Sequence, residues 1–231
     1  MKKIIKSNKT VYKFLSDSRE ILRIVYNTKT RSRFFWKLKK GDDTLSFNYE
    51  LNHNSLVFII GAYKGKYTKK IINKFNCNVY AFEPLVSNFE ILSNELNQDL
   101  NKAKIFNFGL LDSDEEISFS NIEGSSSIYT RPEGNASDVI VKMKSFEKFI
   151  NENSIEAIDL VFMNIEGSEY KLLNQIIDSG YVKNIKYLQI QFHNFVDNAH
   201  QLRKEIRKNL KLTHKCIFNY PFIWESWELK K

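Results

Sequence analysis

LVFIIGAYKGKYTKKIINKFNCNVYAFEP, spanning Leu56 to Pro84, reads as a strand, a glycine turn, a helix and a second strand that ends in a carboxylate. Leu56 to Ile60 is an unbroken apolar run rich in β-branched residues, the composition of a parallel strand covered on both faces. Gly61-Ala62-Tyr63-Lys64-Gly65 supplies two glycines where the strand hands over to a helix, and glycine there accepts positive φ and lets a ligand approach the backbone. Lys66 to Phe75 predicts the helix, with Ile71, Ile72 and Phe75 facing inward, and Asn78 to Phe82 the second strand. Glu83 follows 22 positions after Gly61. That is the offset at which a nucleoside-binding βαβ unit places an acid against ribose hydroxyls. The same pattern also fits a βαβ unit without a ligand, its glycines serving the turn alone. A Gly-x-x-x-x-Gly-Lys-Ser/Thr phosphate loop is absent from the sequence.

Beyond this unit strand and helix keep alternating. Val86–Leu96 predicts a helix and Lys104–Phe108 a third strand, which Gly109-Leu110-Leu111-Asp112 brings to an end. Asp112 either touches the adenine side of a cofactor or merely begins the next turn. Short strands are expected at Glu116–Ser120 and Val139–Met143, around a polar loop, Asn121–Asp138. Ser145–Asn151 predicts a helix and Ile158–Ile165 a buried strand. Gly167 breaks that strand, and Ser168 is placed to cap a helix over Glu169–Ser179, closed by Gly180. Ile185–Phe192 is a further strand, Ala199–Leu210 a helix, and Leu212–Phe218 with Phe222–Leu229 an antiparallel pair. The expected fold is α/β, a doubly wound and mostly parallel sheet.

In such a sheet the strand ends share one edge. Gly61 and Tyr63, Glu83, Asp112, Asn164 and Glu166, and His193 can therefore meet in one crevice. A neutral imidazole suits removal of a hydroxyl proton. His193 is thus the expected base, with Glu166 as the second candidate or the group that orients it. Glu169 is expected in the first turn of its helix, where the dipole favours a carboxylate with no catalysis implied. His53, His200 and His214 have no carboxylate cluster nearby in sequence, and no metal site is expected.

AYKG (62–65), AFEP (81–84), NIEGSEY (164–170) and QFHNF (191–195) together resemble an FkbM-type methyltransferase, over roughly Leu56 to Leu229. The resemblance implies a class I fold and S-adenosylmethionine (SAM) as cofactor. Carried over residue by residue, it implies Gly61, Ala62, Tyr63, Gly65, Glu83, Asp112 and Asn164 as cofactor-binding positions. It also implies O-methylation of a sugar, a glycan intermediate or another small hydroxyl acceptor. The chain departs from the family in three places. Ile59 stands where most class I methyltransferases have an acid, and Tyr63 where many relatives have Asn. Phe162-Met163-Asn164-Ile165-Glu166-Gly167 replaces a Lys-x-Asp-x-Glu-Gly run. A catalytically inactive relative that binds a partner through its N-terminal arm is the alternative.

The chain of 231 residues has 42% apolar and 27% charged side chains, and no run long enough to span a membrane. Its net charge of +8 is concentrated. Residues 1–45 hold 13 basic against four acidic side chains, a net +9. A basic helical extension over residues 1–50 is therefore expected ahead of a SAM-binding domain over 51–231, with an amphipathic helix at Lys9–Tyr26. Either its apolar face, with Phe34, Phe35 and Trp36, packs on the domain, or the arm meets an anionic membrane, an acidic partner or a charged glycan. No nucleic-acid motif accompanies the basic residues. The start MKKIIKSNKT lacks an apolar signal core. Cys77 and Cys216 are expected as buried thiols, so a cytoplasmic setting is expected.

Overall fold

The computed structural model describes residues 22–23, 26–120 and 138–231. The helix expected at Lys9–Tyr26 and the loop at Asn121–Asp138 lie, but for Leu22, Arg23, Tyr26 and Asp138, outside them. Helix α1 (Thr28–Leu38) precedes β1 (Leu56–Ile60), α2 (Lys66–Phe75), β2 (Asn78–Phe82), α3 (Val86–Glu95), β3 (Ala103–Phe106) and β4 (Gly109–Leu111). Next come β5 (Glu115–Ser120), β6 (Asp138–Ser145), α4 (Phe146–Glu152), β7 (Ile158–Met163) and α5 (Glu169–Asp178). The last are β8 (Ile185–Ile190), α6 (Ala199–Thr213), β9 (His214–Tyr220) and β10 (Trp224–Leu229).

Seven strands form the main sheet in the order β3-β2-β1-β7-β8-β10-β9. The first five are parallel, and β10 runs antiparallel to both β8 and β9. From β1 the chain builds outward to β2 and β3, then returns to lay β7 on the other flank of β1. The β1/β7 junction is thus the topological switch point, where open α/β sheets keep their ligands beyond the carboxyl ends of the strands. The side-chain period of two sorts β1 between two cores. Phe58 and Ile60 join a cluster with Phe146 and Phe149 of α4, Leu172 and Ile176 of α5 and Ile206 of α6. Val57 and Ile59 join one with Ile71 and Ile72 of α2 and Leu92 of α3. Helices on both faces account for the continuous apolar character of the strand.

Two expectations need correction. The third strand is two: β3 ends at Phe106, and β4 leaves the main sheet to pair in parallel with β6 in a separate sheet, β4-β6-β5. Asn107 makes the break, its Nδ2 donating to the carbonyls of Glu83 and Pro84 at 3.0 and 3.2 Å. Cys77 is buried, whereas Cys216 is exposed on the edge strand β9. No helix among the described residues is long and apolar enough to cross a membrane.

The segment ahead of β1 is tied to the domain. Tyr49 Oη donates to Gln189 Oε1 at 2.6 Å and lies 3.0 Å from Ser226 Oγ, joining this segment to β8 and β10. Further back, Asn27 caps α1 through Thr30 N–H at 2.9 Å. Trp36 is 3% exposed and lies 5.6 Å from Phe218 and 5.2 Å from Tyr220 on β9, ring centre to ring centre. Phe34 and Phe35 remain exposed. Truncating a buried Trp costs about 3–5 kcal/mol. Since Trp36 anchors α1 to one strand, Trp36→Ala should accelerate hydrogen exchange of α1 amides while β1 and β7 amides stay protected. Equal loss of protection in both would show that the helix is an inseparable part of the core.

Candidate active site

The turn after β1 is shaped by a steric limit. A β-carbon built on Gly61, at φ +85°, would lie 2.1 Å from the carbonyl oxygen of Asn164, at the end of β7. Gly65, at φ +81°, opens α2. Between them Tyr63 also takes the left-handed conformation, at φ +51°, which Asn or Gly adopts readily and an aromatic residue does not. Its N–H is held by Glu83 Oε2 at 2.8 Å. Glu83 is 5% exposed, and its Oε1 accepts Leu85 N–H at 3.1 Å. Burial raises its pKa, against the opposing pull of the Leu85 and Tyr63 N–H groups.

Across the switch point three ionisable groups touch. His193 Nδ1 lies 2.9 Å from Glu169 Oε1, and His193 Nε2 lies 3.2 Å from Glu166 Oε2. Glu169, fully buried, also accepts Ile165 N–H and Gly167 N–H, both at 2.9 Å. Tyr170 Oη donates to the His193 carbonyl at 2.6 Å and fixes the backbone behind the ring. With Nδ1–H donated to Glu169, the contact between Nε2 and Glu166 needs a proton on one side or the other. The pKa shifts agree. Burial lowers that of His193, but the Glu169 hydrogen bond and the charges of Glu169 and Glu166 outweigh it, and the net shift is upward. Glu166 is raised too, by burial first, with Glu169 adding to it and His193 opposing. The cluster can therefore store one proton and, once it has lost it, accept one from a hydroxyl.

Gly61, Ala62, Tyr63, Glu83, Asn164, Glu166 and His193 all lie just beyond the carboxyl ends of β1, β2, β7 and β8, with Gly65 at the start of α2. Asp112 is carried by the other sheet. It follows β4 in the smaller sheet, its side chain exposed and its carbonyl taken by Gln175 Nε2 at 2.8 Å, midway down α5. Ser168 stands at the N-cap of α5 without a side-chain capping bond. Glu169 serves the Ile165 and Gly167 amides of the loop before the helix. The dipole reading of Glu169 missed its role in the cluster, which depends on a histidine 24 residues further along the chain. Lys29 of α1 was also missed: its Nζ donates to Asn194 Oδ1 at 3.1 Å, beside His193. Among the described residues no group of His, Cys, Asp and Glu could hold a metal ion.

A family model described as Methyltransferase FkbM domain matches residues 60–219. No curated protein matches the chain. A candidate rRNA-methylase from Clostridium thermocellum is similar in structure, with 11% identity, a TM-score of 0.50, and coverage of 84% of this chain and 96% of its own. A candidate methyltransferase from Streptococcus mutans in complex with S-adenosylhomocysteine (SAH) has 14% identity, a TM-score of 0.51, and coverage of 84% and 97%. At such identities the likeness is one of fold.

Two measurements check this geometry. Tyr63→Asn should raise the denaturation midpoint, since a non-glycine residue held in the left-handed region costs roughly 1 kcal/mol or more; an unchanged or lower midpoint would show that the ring contributes more than the turn costs. In an NMR titration His193 should protonate above the 6.5 of a free imidazole, and Glu169→Gln should bring it down. A raised folded-state pKa stabilises the fold fully below the unfolded value. That contribution is lost as the pH climbs through the folded one, so wild type should surrender more stability on that rise than Glu169→Gln.

Proposed function

The chain belongs to the FkbM methyltransferase family, and from that premise we propose that it moves a methyl group from SAM to a hydroxyl of a small acceptor, a sugar or glycan intermediate. The observation that carries this reading is the junction of two halves at one sheet edge, a glycine turn tied to a buried carboxylate and a buried histidine held between two carboxylates. The donor half suits SAM. Gly61, Ala62, Tyr63 and Gly65 offer a backbone that a nucleoside can approach. Glu83 spends only part of its acceptor capacity on Tyr63, Leu85 and the longer contact to Asn88, leaving lone pairs for ribose hydroxyls. Asn164 Oδ1 is buried without a hydrogen-bond partner among the described residues, an acceptor that a donor group of the cofactor would satisfy. When bound, SAM supplies a methyl group on a positively charged sulfur.

The chain's own residues hold the acceptor and receive its proton. With His193 neutral and Nδ1–H on Glu169, the lone pair is on Nε2, which lies against Glu166 Oε2 at 3.2 Å; it takes the hydroxyl proton when the acceptor's oxygen replaces Glu166 there. Glu169 and Glu166 then stabilise the imidazolium. Glu166 is the second choice of base. Ile59, in place of the acid common at that strand end, is fully buried in the apolar cluster with Ile71 and Phe162. Cofactor binding therefore rests on the turn, Glu83 and Asn164. The rival reading, an inactive module acting through its basic arm, differs in a simple observable: it has no need to bind SAM or SAH.

Calorimetry with SAM and SAH tests the donor half. Both should bind wild type, and Glu83→Ala should weaken them about tenfold to a hundredfold, the loss of roughly 1.5–3 kcal/mol from charge-assisted hydrogen bonds. No binding to wild type would favour the inactive module. A screen of hydroxyl acceptors with labelled methyl donor tests the other half. His193→Ala should slow single turnover by roughly 10²–10⁴-fold with SAM affinity retained. Wild-type activity should rise with pH through the elevated pKa of His193, since the imidazolium cannot take the proton. Near-normal turnover in His193→Ala would remove it as the base.

A further inference from the structure

Helix α1 reaches the part of the site that lies 165 residues further along the chain. Lys29 Nζ, half-buried, donates to Asn194 Oδ1 at 3.1 Å, next to His193. No carboxylate stands within ion-pair distance of Lys29 among the described residues, and Glu166 acts on it only at longer range. Arg33 follows one helical turn later, at the i, i+4 spacing that puts two side chains on one helix face. Two like charges thus sit close together, one of them partly out of water. Burial and then Arg33 both push the Lys29 pKa down, with Glu166 opposing. One N–H of the ammonium is used by a neutral amide, which leaves two for something else.

We propose that α1 completes the acceptor pocket and that Lys29, backed by Arg33, selects acceptors bearing an oxyanion, a phosphate or a carboxylate, near the hydroxyl to be methylated. This rests on the methyl-transfer reading of the same site and adds the class of acceptor. An oxyanion seated on Lys29 would relieve its repulsion with Arg33, take up the two remaining donors, and leave the neighbouring hydroxyl facing His193. The position favours the acceptor over the cofactor. Lys29 meets Asn194, four residues past the end of β8, whereas Glu83 lies after β2, three strand spacings or roughly 14 Å away. The net +9 of residues 1–45 would draw such an anion toward this end of the molecule.

The full-length protein, saturated with SAH and at low salt, is titrated by NMR with inorganic phosphate, acetate, glucose and glucose 6-phosphate. At least one oxyanion should bind without displacing SAH, and glucose 6-phosphate should bind more tightly than glucose if phosphate is the group recognised. Acetate binding in preference to phosphate would mark a carboxylated acceptor. Lys29→Ala should weaken the anion tenfold or more, Lys29→Arg should retain much of the binding, and Lys37→Ala, on the same helix, should leave it unchanged. The proposal is overturned if neither anion binds, if Lys29→Ala binds as wild type does, or if Lys37→Ala loses as much as Lys29→Ala. It is overturned equally if Lys29→Ala costs SAH affinity and spares the anion, which would put Lys29 on the donor side. The anion titration repeated without SAH separates the two readings, since failure of SAH to bind would strike the methyl-transfer assignment alone.

Discussion

A β-carbon at Gly61 would meet the Asn164 carbonyl at 2.1 Å, so at the switch point the turn after β1 and the end of β7 touch backbone to backbone. Much of the site follows from this contact. The close approach lets Asn164 N–H bond back to the Ile60 carbonyl at 3.0 Å and keeps the two strands in register to their last residue. The turn after β1 must then swing away at once, and Tyr63 enters the left-handed region as it does so. Glu83, arriving on the neighbouring strand, finds the Tyr63 amide already aimed at it. On the other side, Glu166 also sits at a positive φ, +50°, and its carboxylate lies against His193. A larger residue at Gly61 would part the strands and shift both halves of the site.

The buried carboxylates of this edge are supported alike. Glu83 and Glu169 each accept two backbone N–H groups from the loops beyond the strands. These amides would otherwise lack partners where the sheet ends, and the carboxylates would lack compensation for leaving water. Each group solves the other's problem. Glu169 adds the imidazole of His193 and so couples a structural device to a titratable one.

Local pattern carried most of the fold. The first βαβ unit was legible to the residue, with Lys66–Phe75 and Asn78–Phe82 falling where their periodicity put them. Apolar runs and glycines are short-range signals, and these elements obey them. The split of β3 from β4 was not legible, because Asn107 ends the strand through bonds to Glu83 and Pro84 that depend on tertiary placement. Glu169 was read by its helix position, since nothing local tells that a first-turn carboxylate will be buried against a histidine 24 residues on. Lys29 was hidden for the same reason, its partner Asn194 lying 165 residues away. Cys216 was misjudged because alternation cannot tell an edge strand from an interior one.

The anchoring of α1 by Trp36 has a consequence during synthesis. Trp36 leaves the ribosome 184 residues before Tyr220, its partner on β9, an interval of roughly 10–40 s at ordinary elongation rates. Throughout that time the helix has no strand to dock on, and its indole and basic side chains are open to whatever the cell offers. The crevice can form from β1, β2, β7 and β8 before the final hairpin exists, but α1 can settle on β9 only after it. Lys29 reaches Asn194 with that closing step, so a contact beside His193 is made by a helix that was synthesised before every strand of the sheet.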